Sequence, residues 1–141
     1  MTRDEINELI GRLLEAFVRR DIEALTQLHA EDGVVESPLA GGLARRRDAI
    51  ARVYQSLFQA FPDVKLQADE PLIDGNRAVL VTRLSGTDRG GLLGTAPTGR
   101  TFDVPCLLLF DFENGLIARE RRIYDFTGVA LQVGAIKAKP L

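Results

Sequence analysis

One cysteine, Cys106, and one histidine, His29, are all that 141 residues contain of either type. A lone cysteine excludes an internal disulfide framework and any cysteine-built zinc cluster. A lone histidine excludes sites that need two. A surplus of one charge is missing as well: 18 basic residues face 20 acidic ones, for a formal net charge of −2. With no basic tract either, nucleic acid is not an expected partner. No apolar run approaches the roughly 18 residues that a membrane span requires, so no membrane association is expected. The first residues, Met1-Thr-Arg-Asp-Glu5, turn polar at once and lack the apolar core of a signal peptide. These absences point to a soluble cytoplasmic protein.

What is present is enough to build a core. The chain is 45% apolar, which argues against wholesale disorder, and its length fits a single domain over residues 1–141. Residues 4–19 carry Ile6, Leu9, Ile10, Leu13, Leu14, Phe17 and Val18 at the spacing of one helical face. Thr2, three residues before Glu5, offers a capping box at its start. A short second helix is expected over 21–29, capped by Asp21, and a third over 48–60, stopped by Pro62. Between them, 33–38 reads as a short strand ended by Pro38, and 39–47 as a loop.

The period then changes from helical to alternating. Residues 64–69, 77–87, 100–112 and 116–125 read as four strands, divided by turn signals at Asp74-Gly-Asn76, Gly90-Gly91, Pro97-Thr-Gly99 and Asn114-Gly115. Helices first and an antiparallel meander after them make an α+β chain, not an alternating one. In the third of these strands Phe102, Val104, Cys106, Leu108, Phe110 and Phe112 share the core face. The opposite face mixes Leu107 and Leu109 with polar residues, so a homodimer through the outer sheet face is expected.

Several motifs carry a family likeness over nearly the whole chain. Asp21-Ile-Glu-Ala-Leu25, followed by Leu28-His-Ala-Glu-Asp-Gly-Val-Val-Glu-Ser-Pro38, resembles the second helix and first strand of ketosteroid isomerases and their relatives. Gly86-Thr-Asp-Arg-Gly90, then Leu93-Gly94 and Pro97-Thr-Gly-Arg100, is similar to an inter-strand loop of SnoaL-like polyketide cyclases. Arg122-Ile-Tyr-Asp-Phe-Thr-Gly128 with Leu131-Gln-Val-Gly134 resembles the closing strand and tail of the same group. The likeness implies the nuclear transport factor 2-like fold: a cone-shaped α+β barrel, three N-terminal helices packed on a curved, mainly antiparallel sheet around a pocket. Because that fold hosts cyclases, isomerases, dehydratases, epoxide hydrolases and mere binders, the pocket residues must decide the function.

At those positions the chain departs from its relatives. The resemblance implies an acid/base aspartate three residues before Asp125, where this chain has Arg122. An assisting histidine, or a protonated aspartate in the isomerases, falls on Leu108. The isomerase base falls on Ser37 and the oxyanion tyrosine on Leu13. Removing a proton next to a carbonyl needs a base within about 3 Å and donors where negative charge develops; leucine supplies neither. Isomerase chemistry by the usual arrangement is therefore not expected.

Two readings of Arg122 stay open. It shares a strand face with Glu120 and Tyr124, and its guanidinium either holds a carbonyl or anionic oxygen of a ligand or pairs internally with Glu120, Glu36 or Asp125. Asp125 is a general base near the pocket mouth or the cap of the turn into Thr127-Gly128, the cap being the preferred reading. His29 is expected at the surface, at the end of the second helix. Cys106 is expected as a small buried residue. Leu92 and Leu93 either pack under their loop or cover the pocket as a lid, and the tail from Val129 to Leu141 is a candidate to close the other side. The expected pocket wall is Leu13, Phe17, Tyr54, Phe58, Thr82, Leu108, Arg122 and Tyr124, with Ser37 as a further ligand contact.

The function expected from all this is binding of a small, largely apolar carbonyl compound, polyketide- or steroid-like. Cofactor-independent cyclase- or isomerase-type chemistry would follow, with Arg122 and Asp125 as catalytic residues and no metal. The alternative is a non-catalytic ligand-binding or accessory protein that lost its acid/base groups.

Overall fold

A computed structural model describes residues 1–138 of the chain. Four helices pack on one open, curved sheet. Helix α1 (Arg3–Val18) starts at the expected capping box: the Thr2 hydroxyl accepts from Glu5 N at 3.1 Å, and the Glu5 carboxylate accepts from Thr2 N at 3.2 Å. It buries Ile6, Leu9, Ile10, Leu13 and Phe17, each worth roughly 1.5–3 kcal/mol relative to exposure. Helix α2 (Ile22–Gln27) is capped by Asp21, whose carboxylate accepts from Ala24 N. Strand β1 (His29–Ser37) is longer than its apolar core predicts.

Strand β2 (Gly42–Arg45) lies where a loop is expected; it pairs antiparallel with Val34 to Ser37 of β1. Helix α3 (Arg46–Ala60) follows, then β3 (Lys65–Ala68), β4 (Leu72–Asp74), β5 (Arg77–Thr87), β6 (Thr101–Glu113) and β7 (Leu116–Tyr124). The sheet runs β2-β1-β7-β6-β5-β3, with β4 also on β5. Among the described residues only the β1–β7 pair is parallel. A fourth helix, α4 (Phe126–Gln132), follows β7 and packs against β6. The architecture is thus the expected α+β cone with one more helix, and its sheet is not closed into a barrel.

Two irregularities decide which side chains face the helices. In β7 the pairing with β6 slips between Asp111/Phe112, from Arg119 to Ile117, so Ala118 is one residue too many. Without that bulge the alternation would place Ile117 and Glu120 on opposite faces. With it, both are buried on the helix side. In β1 the register against β7 shifts between His29 and Val34. There Gly33 comes so close to the Ala30 carbonyl that a Cβ would sit 2.9 Å from it.

The loop after β5 is organised by the fully buried Asp88, whose carboxylate accepts from Gly91 N, Thr98 N and the Thr98 hydroxyl. Leu92 is buried beneath it while Leu93 is 66% exposed. Of the tail, Val129, Ala130 and Val133 are buried, and residues 139–141 lie outside the described ones.

Candidate functional site

Between α1, α3 and the inner face of the sheet lies a slot with about 490 Å³ of free space counted out to its mouth. Little of that space is wide enough for a water molecule, so the slot is narrow. Leu13 and Phe17 from α1, Tyr54 from α3, Leu108 from β6, Arg122 and Tyr124 from β7, and Ser37 at the end of β1 all line it. Leu14, Leu39, Leu57, Leu66, Leu84 and Cys106 add apolar wall, and Glu120 adds a carboxylate.

Phe58 and Thr82 do not line the slot. Phe58 stands behind it, edge-on to Phe17 at 5.2 Å and stacked on Tyr54 at 6.1 Å. The Thr82 hydroxyl donates to the Cys106 carbonyl at 2.8 Å across the β5–β6 ladder and has no capacity to spare for a ligand as donor. Asp125 is exposed and caps α4, the reading preferred from the sequence over a role as base, accepting from Gly128 N at 2.8 Å. An aspartate just before a helix is held by the backbone donors of the first turn, and that local bond decides where it points.

The charged floor of the slot is built by strand alternation. Glu120 and Arg122, two apart on β7, turn the same way, opposite Phe110 and Leu108 of β6. Arg122 Nε donates to Glu120 Oε2 at 2.5 Å, and the guanidinium carbon sits 4.6 Å from the centre of the Tyr54 ring. The internal pairing expected as one of two readings is therefore real. It is also monodentate: the two terminal nitrogens of Arg122 have no hydrogen bond to a carboxylate among the described residues. Arg122 remains 9% exposed and Glu120 1%.

His29 is placed otherwise than expected. It is fully buried as the first residue of β1, because α2 ends at Gln27 and the chain has already turned inward. Its Nδ1 lies 2.9 Å from the Leu25 carbonyl, and Nε2 faces Glu120 Oε1 at 3.4 Å, long and off-line for a good hydrogen bond.

These contacts set the protonation states. Burial works to raise the Glu120 carboxyl, but the Arg122 charge and then His29 outweigh it and hold it down at about 2. Burial likewise works against the Arg122 charge, and Glu120 more than restores it. Burial raises the Tyr54 hydroxyl, and Glu120 adds to this, above the usual phenol range. Burial pushes Tyr124 up to about 12 against the opposing pull of Arg122 and Ser37. Burial also raises the Cys106 thiol. Both tyrosines are thus neutral donors, and the slot holds one carboxylate and one guanidinium. The Ser37 hydroxyl is buried without a partner of good geometry. Among the described residues no group of carboxylate, histidine and cysteine ligands is placed to hold a metal ion.

The model of SnoaL-like polyketide cyclases matches residues 7–133, nearly the whole chain. The chain belongs to the SnoaL-like polyketide cyclase family. Solved structures agree on the fold. TsrD from Streptomyces laurentii is 24% identical, with a TM-score of 0.83 over 96% of this chain and 99% of that one. IdmH, a proposed polyketide cyclase from Streptomyces antibioticus, is 28% identical, with a TM-score of 0.76 over 90% and 96%. A proposed SnoaL-like polyketide cyclase from Jannaschia sp. CCS1 is 21% identical, with a TM-score of 0.83 over 95% and 94%. Among curated protein sequences none shows significant similarity to this chain. For a SnoaL-like member the family points to cyclase- or isomerase-type function.

Proposed function

We propose that this SnoaL-like protein binds a small, flat, largely apolar carbonyl compound of polyketide- or steroid-like shape in the slot and promotes its enolisation. Cyclase- or isomerase-type bond changes then follow from the enolate. The observation that carries this reading is Arg122: a nearly buried guanidinium on an apolar wall, anchored through Nε and with its terminal nitrogens not committed to a carboxylate. Such a cation stabilises an oxygen as it gains negative charge far better than water-exposed arginine does, because little solvent screens it. Ser37 and Tyr124 supply neutral hydroxyls further along the same wall. Glu120 is the carboxylate on that wall to which a proton next to the carbonyl would pass, and Arg122 makes the transfer less uphill by stabilising the enolate.

The hold of Arg122 and His29 on Glu120 favours a second reading. A carboxyl held at about 2 is a weak base, and a protein that binds without turnover needs none. Exchange of the protons next to the carbonyl separates the two. A flat polycyclic ketone in D2O is followed by NMR with the protein and with Arg122→Leu. Catalysed exchange that disappears in the variant supports the enzyme. Binding without exchange supports the binder. Exchange that survives Arg122→Leu removes Arg122 from the mechanism. The mixed outer face, where Val81, Leu107 and Ile123 stand exposed in one row across β5, β6 and β7, supports a homodimer. Light scattering that shows only monomer at micromolar concentration would rule it out.

A further inference from the structure

The slot is too tight to admit a ligand as it stands. The Ser37 hydroxyl and Glu120 Oε1 belong to its wall, yet both are shut off from solvent. Entry therefore needs a movement of the wall. The lining side chains that are partly exposed, and so stand at the mouth, are Leu14, Leu39, Leu66, Arg122 and Tyr124. Leu14 is on α1, Leu66 on β3, and Arg122 and Tyr124 on β7, each held by a helix or by paired strands. Leu39 has neither support. It sits on a single 3-10 turn, Pro38–Ala40, at the tip of the β1–β2 hairpin. No side chain caps that turn, and its closing bond, from Gly41 N to the Pro38 carbonyl, is local. Gly41 and Gly42 end it with φ of 66° and 124°. A Cβ at either would meet nothing within 4 Å, so backbone freedom is what these glycines supply.

Outside the slot there is a place for the Leu39 side chain to go. The same leucine borders a surface cleft over Gln59 and Ala60 of α3, whose far lip is Leu93. That lip is pinned to α3. Arg89 N and Gly90 N both donate to the Ala60 carbonyl, at 3.2 and 3.1 Å, and Gly90 lies so close to the Gln59 carbonyl that a Cβ has no room. On this fixed loop Leu93 stands 66% exposed with φ 49° and ψ 44°, a left-handed backbone that a residue with a Cβ avoids. The strain holds an apolar side chain out in the cleft, on the far side from Leu39.

We propose that the hairpin tip from Pro38 to Gly42 is the gate of the slot. In one position Leu39 plugs the mouth; in the other it swings out and packs on Leu93, lets the ligand pass and then closes over it. Each position gives Leu39 apolar neighbours, which keeps the two close in free energy. The loop of Leu92 and Leu93 is thus the fixed stop, and the tip opposite is the lid. This rests on the slot being the ligand site.

Prodan, a flat naphthalene ketone whose emission reports the polarity around it, tests the gate by stopped-flow mixing, with affinity from a fluorescence titration. Asparagine tolerates the left-handed backbone and removes the apolar contact, so Leu93→Asn destabilises the open position alone. Entry and release are both expected to slow by the same factor, roughly fivefold, with affinity as in wild type. Leu39→Ala takes the plug away: entry is expected to quicken about tenfold, and Leu93→Asn added to it is expected to change nothing further. Unchanged rates in Leu93→Asn, slower entry without slower release, or the same slowing by Leu93→Asn in the Leu39→Ala background overturns the gate and leaves the slot as a ligand site. Failure of prodan to bind the wild-type protein overturns the slot reading itself, and this inference with it. Leu93 is exposed and lies outside the slot, so its variant decides even if Leu39→Ala does not fold.

Discussion

The two faces of the sheet carry the same ion pairs in different surroundings. On the outer face Arg77 meets Asp111 and Arg83 meets Asp103, each through Nε at 2.8 Å across neighbouring strands. On the inner face Arg122 meets Glu120 at 2.5 Å on a single strand. The outer partners are more than a third exposed; the inner ones are 9% and 1% exposed. Water screens the outer pairs and rewards them little. The inner pair has paid a large desolvation cost, which its mutual attraction only has to offset. A fold seeking stability alone would gain as much from leucines there. The inner pair is therefore better explained by what it presents to the slot than by what it adds to the fold.

The comparison breaks most visibly if one inner partner is removed. Glu120→Ala leaves Arg122 buried without its carboxylate and is expected to cost about 3–5 kcal/mol in urea unfolding. Replacing both, Arg122→Leu with Glu120→Leu, is expected to restore most of that stability while abolishing ligand binding. An equally unstable double variant would mean that the pair holds the fold together.

Acid sharpens the contrast. The folded Glu120 carboxyl, at about 2, lies below the ordinary glutamate value of about 4.3 in the unfolded chain. Its stabilisation is thus fully present above the unfolded value and is lost as pH falls from about 5 toward 2, on the order of 3 kcal/mol in all. Unfolding free energies measured over that range should fall more steeply for wild type than for Glu120→Gln, which lacks the titrating group. Asp63 adds a loss of the same sign: burial works to raise its carboxyl, but donation from the Thr87 hydroxyl and amide overrides this and lowers it.

Smaller effects follow at sites outside the slot. Asp125→Ala removes the cap of α4 and is expected to cost about 1 kcal/mol, with ligand affinity unchanged in the same fluorescence titration. Arg83→Ala, on the outer face, is expected to cost about 0.2–1 kcal/mol in urea and to shrink further at high salt.

Much of this was legible in the residues. The 3.6-residue spacing of Ile6 to Phe17, the Thr2–Glu5 box and the alternation of Phe102 to Phe112 each state a local preference that the fold obeys. Alternation along β7 also brings Glu120, Arg122 and Tyr124 to one side, as expected. What stayed hidden depends on contacts between distant segments. Strand β2 has no apolar alternation to announce it and exists because β1 offers an open edge. The burial of His29 depends on where α2 stops and on a carboxylate some 90 residues later. A histidine near a helix end ordinarily reads as a surface cation, and only its acidic neighbour across the sheet says otherwise. Asp125 was legible for the opposite reason: its partner, Gly128 N, is only three residues away, and the cap preferred from the sequence is the bond that forms.

In the proposed function the Arg122 guanidinium receives a ligand oxygen in the slot while Glu120 keeps it in place. A crystal structure of the protein soaked with a flat polycyclic ketone or its carboxylate analogue tests this most directly. The ligand is expected between Leu13, Tyr54 and Leu108, its oxygen about 3 Å from a terminal nitrogen of Arg122, with the Nε bond to Glu120 intact. A ligand bound elsewhere, or one in the slot whose oxygen avoids Arg122, would contradict it.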